Sequence, residues 1–253
     1  MPAAALDGLR VLDLTSGTFN YAGKLLAGFG ADVVKVEPPG GDPIRYEPPF
    51  VTGEEDLELS GRHLHMNTGK RSVVLDLNAT ADQRRLVGLL TDYDILIESY
   101  PPGYMVARGL GYEALAQGRS DLIYASISFF GQDGPYAHYA GAEIVAEALS
   151  GYLRLTGDPD REPVKSYDNL AEQQTALQAA VAIMTAVTQR ELTGEGDYLD
   201  LAVFEAAMFL LGGPAQLYIG TGMVAKRNGT RLLGMSPEVF YPLCIRPCKI
   251  GRA

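Results

Sequence analysis

The stretch L-R-V-L-D-L-T (9–15), F-N-Y-A-G-K-L-L-A-G-F (19–29), D-V-V-K-V-E (32–37) decides the fold. Its first and last segments are short, rich in Val and Leu, and nearly continuous in apolar character. That is how strands covered on both faces read. The middle segment spaces Tyr21, Leu25, Leu26 and Phe29 as one face of a helix. Strand, helix and strand within about 30 residues form a βαβ unit with parallel strands.

Downstream the pattern repeats. S-V-V-L-D-L (72–77) is a strand, Thr80–Tyr93 a helix and D-I-L-I-E (94–98) a strand; a helical stretch at Tyr112–Ala116 precedes L-I-Y-A-S-I-S (122–128). Residues 168–190 form a long helix rich in Ala and Gln. Tyr198–Val203 is a last strand, and Phe204–Tyr218 an apolar helix. The fold class is therefore α/β, an open, doubly wound parallel sheet with flanking helices. The connection Pro38–Gly69 is long for its class and is expected to cover a site or a partner. After Gly220 the texture turns loop-like, so 1–203 reads as one large domain, 204–230 as a linker helix and 231–253 as the start of a second domain.

Composition excludes several functions. The 253 residues are 47% apolar and carry a net charge of −10, a surface that repels polyphosphate, so nucleic acid is not an expected partner. No apolar run reaches the ~20 residues of a membrane span. The N-terminus has no basic n-region, and Cys244 and Cys248 read as free thiols, so the expected location is cytoplasmic. A lone C-x3-C makes a poor zinc site, and no His, Cys or carboxylate set has metal spacing; His63 and His65 are expected in a polar, solvated loop, and His138 is a lone loop histidine.

In open α/β sheets ligands bind beyond the carboxyl ends of the strands. The candidate loops are Ser16–Ala22, Pro38–Arg45, Ser99–Gly103 and Phe129–Ala140. Gly17 and Gly23 lie six apart, which is not G-x-G-x-x-G, so a nicotinamide or flavin site is disfavoured. No G-x-S-x-G nucleophile elbow occurs either.

Seven blocks resemble, in order, those of the family III CoA-transferases (the formyl-CoA-transferase, CaiB/BaiF group). They are L-D-G-L-R-V-L-D-L-T (6–15), L-L-A-G-F-G-A-D-V-V-K-V-E-P-P-G-G-D-P-I-R (25–45), N-T-G-K-R-S-V-V-L-D-L (67–77), P-P-G (101–103), F-G-Q-D-G-P-Y (130–136), A-E-A-L-S-G (146–151) and R-E-L-T-G-E-G (190–196). The resemblance implies a Rossmann-like large domain, an interlocked homodimer and coenzyme A bound in the loops. It also implies a carboxylate nucleophile that carries acyl and then CoA. Acyl-CoA and a carboxylic acid are the implied substrates, and no metal or redox cofactor is implied, since each step exchanges acyl bonds of comparable energy.

The family nucleophile is an Asp opening the helix that runs to T-G-x-G. Counting back from Thr193 without gaps places Glu172 there, with Ala176 in the family's glycine slot. Asp168 takes the role if a short insertion follows it. The plain structural alternative makes Asp168 an N-cap and Glu172 a first-turn acid favoured by the helix dipole. By position, the resemblance assigns CoA contacts to Thr18 and Phe19, to Pro38, to Leu75, Asp76, Leu77 and Asn78, and to Ser99 and Tyr100. Arg45, Lys70 and Arg71 are the expected phosphate contacts, with salt bridges or solvated charges as their alternative.

Four departures from the family pattern stand out. N-Y-A-G (20–23) is one residue shorter than the family's turn, and Ala107 replaces the arginine after P-P-G, with Arg108 as its neighbour. Glu143 stands for an Asp. Ala142 occupies the position where racemases of this fold keep a histidine, which disfavours α-methylacyl-CoA epimerisation. Family members continue past the P-C-K-I-G-R-A of 247–253 into a small domain. The chain is thus expected to be the N-terminal part of a CoA-transferase, or else a non-catalytic CoA-binding or structural subunit that needs a partner.

Overall fold

In the computed structural model, which describes residues 4–229, Val11, Leu12 and Leu14 of β1 (Arg10–Leu14) are buried, so this strand is covered on both faces. It is central in a sheet of six parallel strands ordered β3-β2-β1-β4-β5-β6. The others are β2 (Asp32–Glu37), β3 (Arg71–Val74), β4 (Ile95–Glu98), β5 (Ile123–Ser128) and β6 (Tyr198–Ala202). The order reverses between β1 and β4, so the switch crevice opens beyond those two strands.

Side chains of opposite parity build the two halves of the core. Val11, Val33, Ile95, Ile97, Ile123, Ala125 and Ile127 face α1 (Tyr21–Gly28) and α6 (Leu170–Thr193). Leu12, Leu14, Val34, Val36, Leu96, Leu122 and Tyr124 face α3 (Thr80–Leu90). The α6 face against the sheet is small (Ala171, Ala176, Ala179, Ile183), which lets this 24-residue helix lie close to the strands. The remaining helices are α2 (Gly61–Met66), α4 (Tyr112–Leu115), α5 (Glu143–Leu149), α7 (Val203–Met208) and α8 (Pro214–Thr221).

Four expectations are corrected. The strand expected at 72–77 ends at Val74: Leu75 N–H still bonds Glu37 O at 2.9 Å, but Pro39, the next residue of that chain to face β3, has no N–H to continue the ladder. Residues 75–78 turn away instead. The continuous helix expected at 204–218 is broken, with α7 and its following turn bent by 64° from α8. Gly212 (φ 64) makes the break and Pro214 starts the new helix. His63 is buried on α2, and burial, with the Arg45 charge second, lowers its pKa. Asp168 does not cap α6, because Asp168 and Asn169 both adopt left-handed backbone (φ 57 and 54) and neither side chain bonds the helix N–H groups. The segment 231–253, with Cys244 and Cys248, lies outside the described residues.

Candidate active site

The loop after β1 is positioned from below by buried charges. Lys70 Nζ lies 2.7 Å from Asp13 Oδ2, and Lys35 Nζ 3.0 Å from Asp42 Oδ2. Arg45 grips Glu37 with two bonds of 2.6 and 2.8 Å. Asp42 ties the loop down, accepting from Gly17 N–H (3.2 Å), Ser16 Oγ–H (3.3 Å) and Asn20 Nδ2–H (3.0 Å). Burial alone would raise the Glu37 carboxyl. Bonds from Arg45, Ser72 and the Asp42 N–H outweigh it and hold its pKa at about 2.

Of the three expected phosphate contacts, Arg45 and Lys70 are therefore engaged in internal ion pairs. Arg71 pairs with Asp32 (2.6 Å) where β2 and β3 begin, at the amino ends of the strands and away from the crevice. Arg108 is placed differently. It bonds Leu77 O at 3.1 Å and Asn78 Oδ1 at 2.7 Å, and lies 3.5 Å over the Tyr104 ring, which stacks on Tyr100 at 4.3 Å. Leu77, Asn78, Tyr100 and Arg108 thus form one surface at the carboxyl ends of β3 and β4. Leu75 is in the core, Asp76 caps the turn by accepting Asn78 N–H (2.9 Å), and Pro38 is exposed at the end of β2.

A cavity of about 510 Å³ opens between the first, fourth-strand and fifth-strand loops, lined by Phe19, Ser99, Tyr100, Phe129, His138 and Gly141 among others. Ser16 N–H donates to Ser99 Oγ at 2.9 Å, and Phe19 meets Phe129 edge to face at 6.1 Å. Gly141 is needed here, because a Cβ would overlap the Phe129 ring.

At the rim of the first loop α6 begins. Glu143, on α5, substitutes for the missing cap: its buried carboxylate accepts Ala171 N–H at 2.6 Å and Glu172 N–H at 3.1 Å. Glu172 is partly buried and accepts Asn169 Nδ2–H (3.3 Å), an amide that also reaches Thr18 Oγ1 (3.5 Å). Burial first, and the Glu143 charge second, push its pKa up to about 7 against that bond and Lys165. Asp168 is occupied otherwise. It is ion-paired with Arg62 of α2, whose Nε also lies 2.7 Å from Glu47 Oε2 at an angle too poor for a hydrogen bond. The spacing pair Asp168 and Glu172 is therefore split: one acid neutralised by arginine, the other held near its ionisation point beside Thr18.

Sequence reasoning missed Lys35, Asp42 and Glu98. Glu98 ends β4, is buried, accepts Tyr100 N–H (2.6 Å) and Ser126 Oγ–H, and is raised to about 7, chiefly by burial. It lines a second cavity of about 430 Å³ with Tyr112, Tyr124 and Tyr198. The available signal was an acid closing an otherwise apolar strand, shared by Glu37 and Glu98.

The family model described as CoA-transferase family III matches residues 6–244. The chain is 40% identical over 230 residues to a succinyl-CoA:mesaconate CoA-transferase of Haloarcula hispanica, covering 89% of this chain and 58% of that protein. It is 36% identical over 220 residues to the BbsE subunit of the succinyl-CoA:(R)-benzylsuccinate CoA-transferase of Thauera aromatica, covering 87% and 54%. A CAIB/BAIF family protein from Brucella suis superposes with a TM-score of 0.85 at 36% identity, covering 93% of this chain and 62% of that one. The chain belongs to CoA-transferase family III. It spans a little over half the length of the curated relatives it matches.

Proposed function

We propose that this chain carries the CoA-handling and nucleophilic half of a CoA-transferase, moving CoA from an acyl-CoA to an acceptor carboxylate, with Glu172 as the attacking group. The observation that carries this reading is the state of Glu172. It is a carboxyl with pKa about 7, bonded by Asn169, which also reaches Thr18 of the first loop, and backed by Glu143. Such a group is ionised enough to attack at neutral pH, and more basic than an ordinary carboxylate. The family relationship supports the reaction type, and the relatives named above are CoA-transferases.

In the proposed cycle the Glu172 carboxylate attacks the thioester carbonyl carbon. The C–S bond breaks, CoA leaves as thiolate, and a mixed anhydride forms. The thiolate then attacks the glutamyl carbonyl, giving a Glu172–CoA thioester and releasing the first acid as its carboxylate. The acceptor carboxylate attacks that thioester, expelling CoA thiolate and forming a second anhydride. Thiolate attack on the acceptor's acyl carbon yields the new acyl-CoA and restores Glu172. CoA itself is proposed to lie along Thr18, Phe19, Tyr100, Asn78 and Arg108, beside the 510 Å³ cavity. A second chain is the proposed partner, a role supported by the exposed apolar side chains Phe209 (73%) and Ile219 (83%) after β6.

The test is to incubate the protein with acyl-CoA, trap with hydroxylamine and map the peptide. Glu172 should be marked, and Glu172→Gln should lose the mark while still binding CoA. A mark at Asp168 transfers the role to that residue. No mark, with CoA binding intact, leaves the non-catalytic subunit as the reading.

A further inference from the structure

Pro101 lines both cavities, the one of about 510 Å³ at the switch crevice and the one of about 430 Å³ that holds Glu98. The chain leaving β4 therefore runs between them. Glu98 is the last residue of β4, in register with Leu14 of β1 and Ser126 of β5. Beyond it the Tyr100 amide has no strand to donate to. The Glu98 carboxylate accepts that amide at 2.6 Å with one oxygen and the Ser126 hydroxyl with the other. The first bond shapes the turn and the second ties it to β5. Among the described residues Glu98 makes no ion pair. The titratable groups around it are Tyr100 of its own turn, Tyr124 of β5, Tyr198 and Asp200 of β6, and Tyr112 and Glu113 of α4. None is a cation.

The turn that Glu98 clamps carries the surface along which CoA is proposed to lie. The Tyr100 ring stacks on Tyr104 at 4.3 Å, and the Arg108 guanidinium lies 3.5 Å over Tyr104. Tyr104 N–H donates to Pro101 O (3.0 Å) and Arg108 to Tyr104 O (3.1 Å), so the row is built on the turn itself. Beside it, Ser99 Oγ accepts the Ser16 N–H of the first loop. We propose that Glu98 is a positioning residue for CoA: its carboxylate sets the Tyr100 backbone and, through it, the row Tyr100, Tyr104 and Arg108. This rests on the CoA reading above. The charge matters because a bond from N–H to a carboxylate is about twice as strong as one to a neutral acceptor. Burial first, with Asp200 adding to it, raises the Glu98 pKa to about 7. The charged clamp is thus present above that pH and is lost as pH falls through it.

Glu98→Gln is the deciding variant, since glutamine can accept the Tyr100 N–H, donate to Ser126 Oγ and stay neutral at every pH. The readout is the CoA dissociation constant by calorimetry, for the intact protein and the variant, at pH 6 and pH 8. Titration of the CoA phosphate and of Glu172 is common to both proteins and cancels in their ratio. At pH 8 the variant should bind CoA about 3- to 10-fold more weakly, the difference between a charged and a neutral hydrogen bond. At pH 6 the two should agree within about twofold. The route is read from a double variant: in an Arg108→Ala background, Glu98→Gln should cost about twofold or less, because coupled residues do not add. A Glu98 that only supports the fold would lower the denaturation midpoint and leave the affinity ratio independent of pH. Unchanged affinity at pH 8, an equal loss at both pH values, or an undiminished loss in the Arg108→Ala background overturns the proposal while CoA binding stands. Should Glu98→Gln fail to fold, the intact protein decides by NMR: the Tyr100 amide proton should shift with a midpoint near 7, and an unmoved signal overturns the proposal. No CoA binding by the intact protein at either pH overturns the CoA reading and this proposal together.

Discussion

Beneath the first loop, Asp13, Glu37 and Asp42 are matched one for one by Lys70, Arg45 and Lys35, and all three carboxyls lie below their ordinary range. At the head of α6, Glu143, Glu147 and Glu172 make no ion pair among the described residues, and Glu143 and Glu172 lie above theirs. Burial opposes ionisation in both clusters; the number of partners decides the sign. The matched cluster is scaffold, holding Ser16, Gly17 and Asn20 in place through Asp42. The undermatched cluster is a reservoir of basicity, at a cost in stability that the rest of the fold offsets.

Breaking a pair in the matched cluster should give the largest effect. Lys70→Met leaves Asp13 buried without its closest cation, and removing one member of a buried pair costs ~3–5 kcal/mol. The guanidinium denaturation midpoint should fall accordingly. A loss below about 1 kcal/mol would mean that Lys35 alone satisfies Asp13.

The opposite sign is expected at Glu172. Its pKa of about 7 exceeds the 4.5 of an unfolded glutamate, so between those values the folded state binds more protons. Stability contributed by this group therefore falls as pH rises from about 4.5 to 7 and is flat beyond. Glu172→Gln removes the penalty. It should stabilise the protein by ~1–3 kcal/mol at pH 8 and by nothing at pH 4, while abolishing the mark from acyl-CoA. Destabilisation at pH 8 would remove Glu172 from the undermatched cluster.

Glu143 tests the origin of that basicity. Glu143→Gln keeps an acceptor for one α6 N–H and deletes the charge beside Glu172. The pH midpoint for marking Glu172, about 7 in the intact protein, should move lower, with the plateau rate above it less affected. An unmoved midpoint would assign the raised pKa to burial alone.

The sheet was legible because its signal is local: apolar runs at 9–15, 32–37, 94–98 and 122–128 reappear as β1, β2, β4 and β5. A gap-free count from Thr193 picks out Glu172 as the candidate. Its environment was not legible, since the cap on α6 comes from Glu143, 28 residues away from Ala171. Nor did spacing show that Asp168 meets Arg62, a contact across 106 residues. Charges on strands were the hardest to read. Lys35 sits mid-strand in an apolar run and Lys70 precedes one, and nothing local says which buried acid each will find.

The smallest effects separate two arginines that sequence position left side by side as CoA contacts. Arg108 stands at the carboxyl ends, its guanidinium stacked on Tyr104 and bonded to Leu77 O and Asn78 Oδ1. Arg71 stands at the amino ends, exposed and paired with Asp32. Ligands of open α/β sheets gather at the carboxyl ends, so the CoA site proposed above has Arg108, and not Arg71, within reach. Calorimetric titration with CoA should show Arg108→Ala weakened by about tenfold or less, with a shallower salt dependence than the intact protein. Arg71→Ala should bind CoA as the intact protein does and keep its denaturation midpoint, because an exposed pair in water adds little. Loss of CoA affinity in Arg71→Ala, with Arg108→Ala unaffected, would put the ligand at the opposite edge of the sheet. The matched cluster would then no longer underlie the site, and the contrast with the head of α6 would lose its meaning.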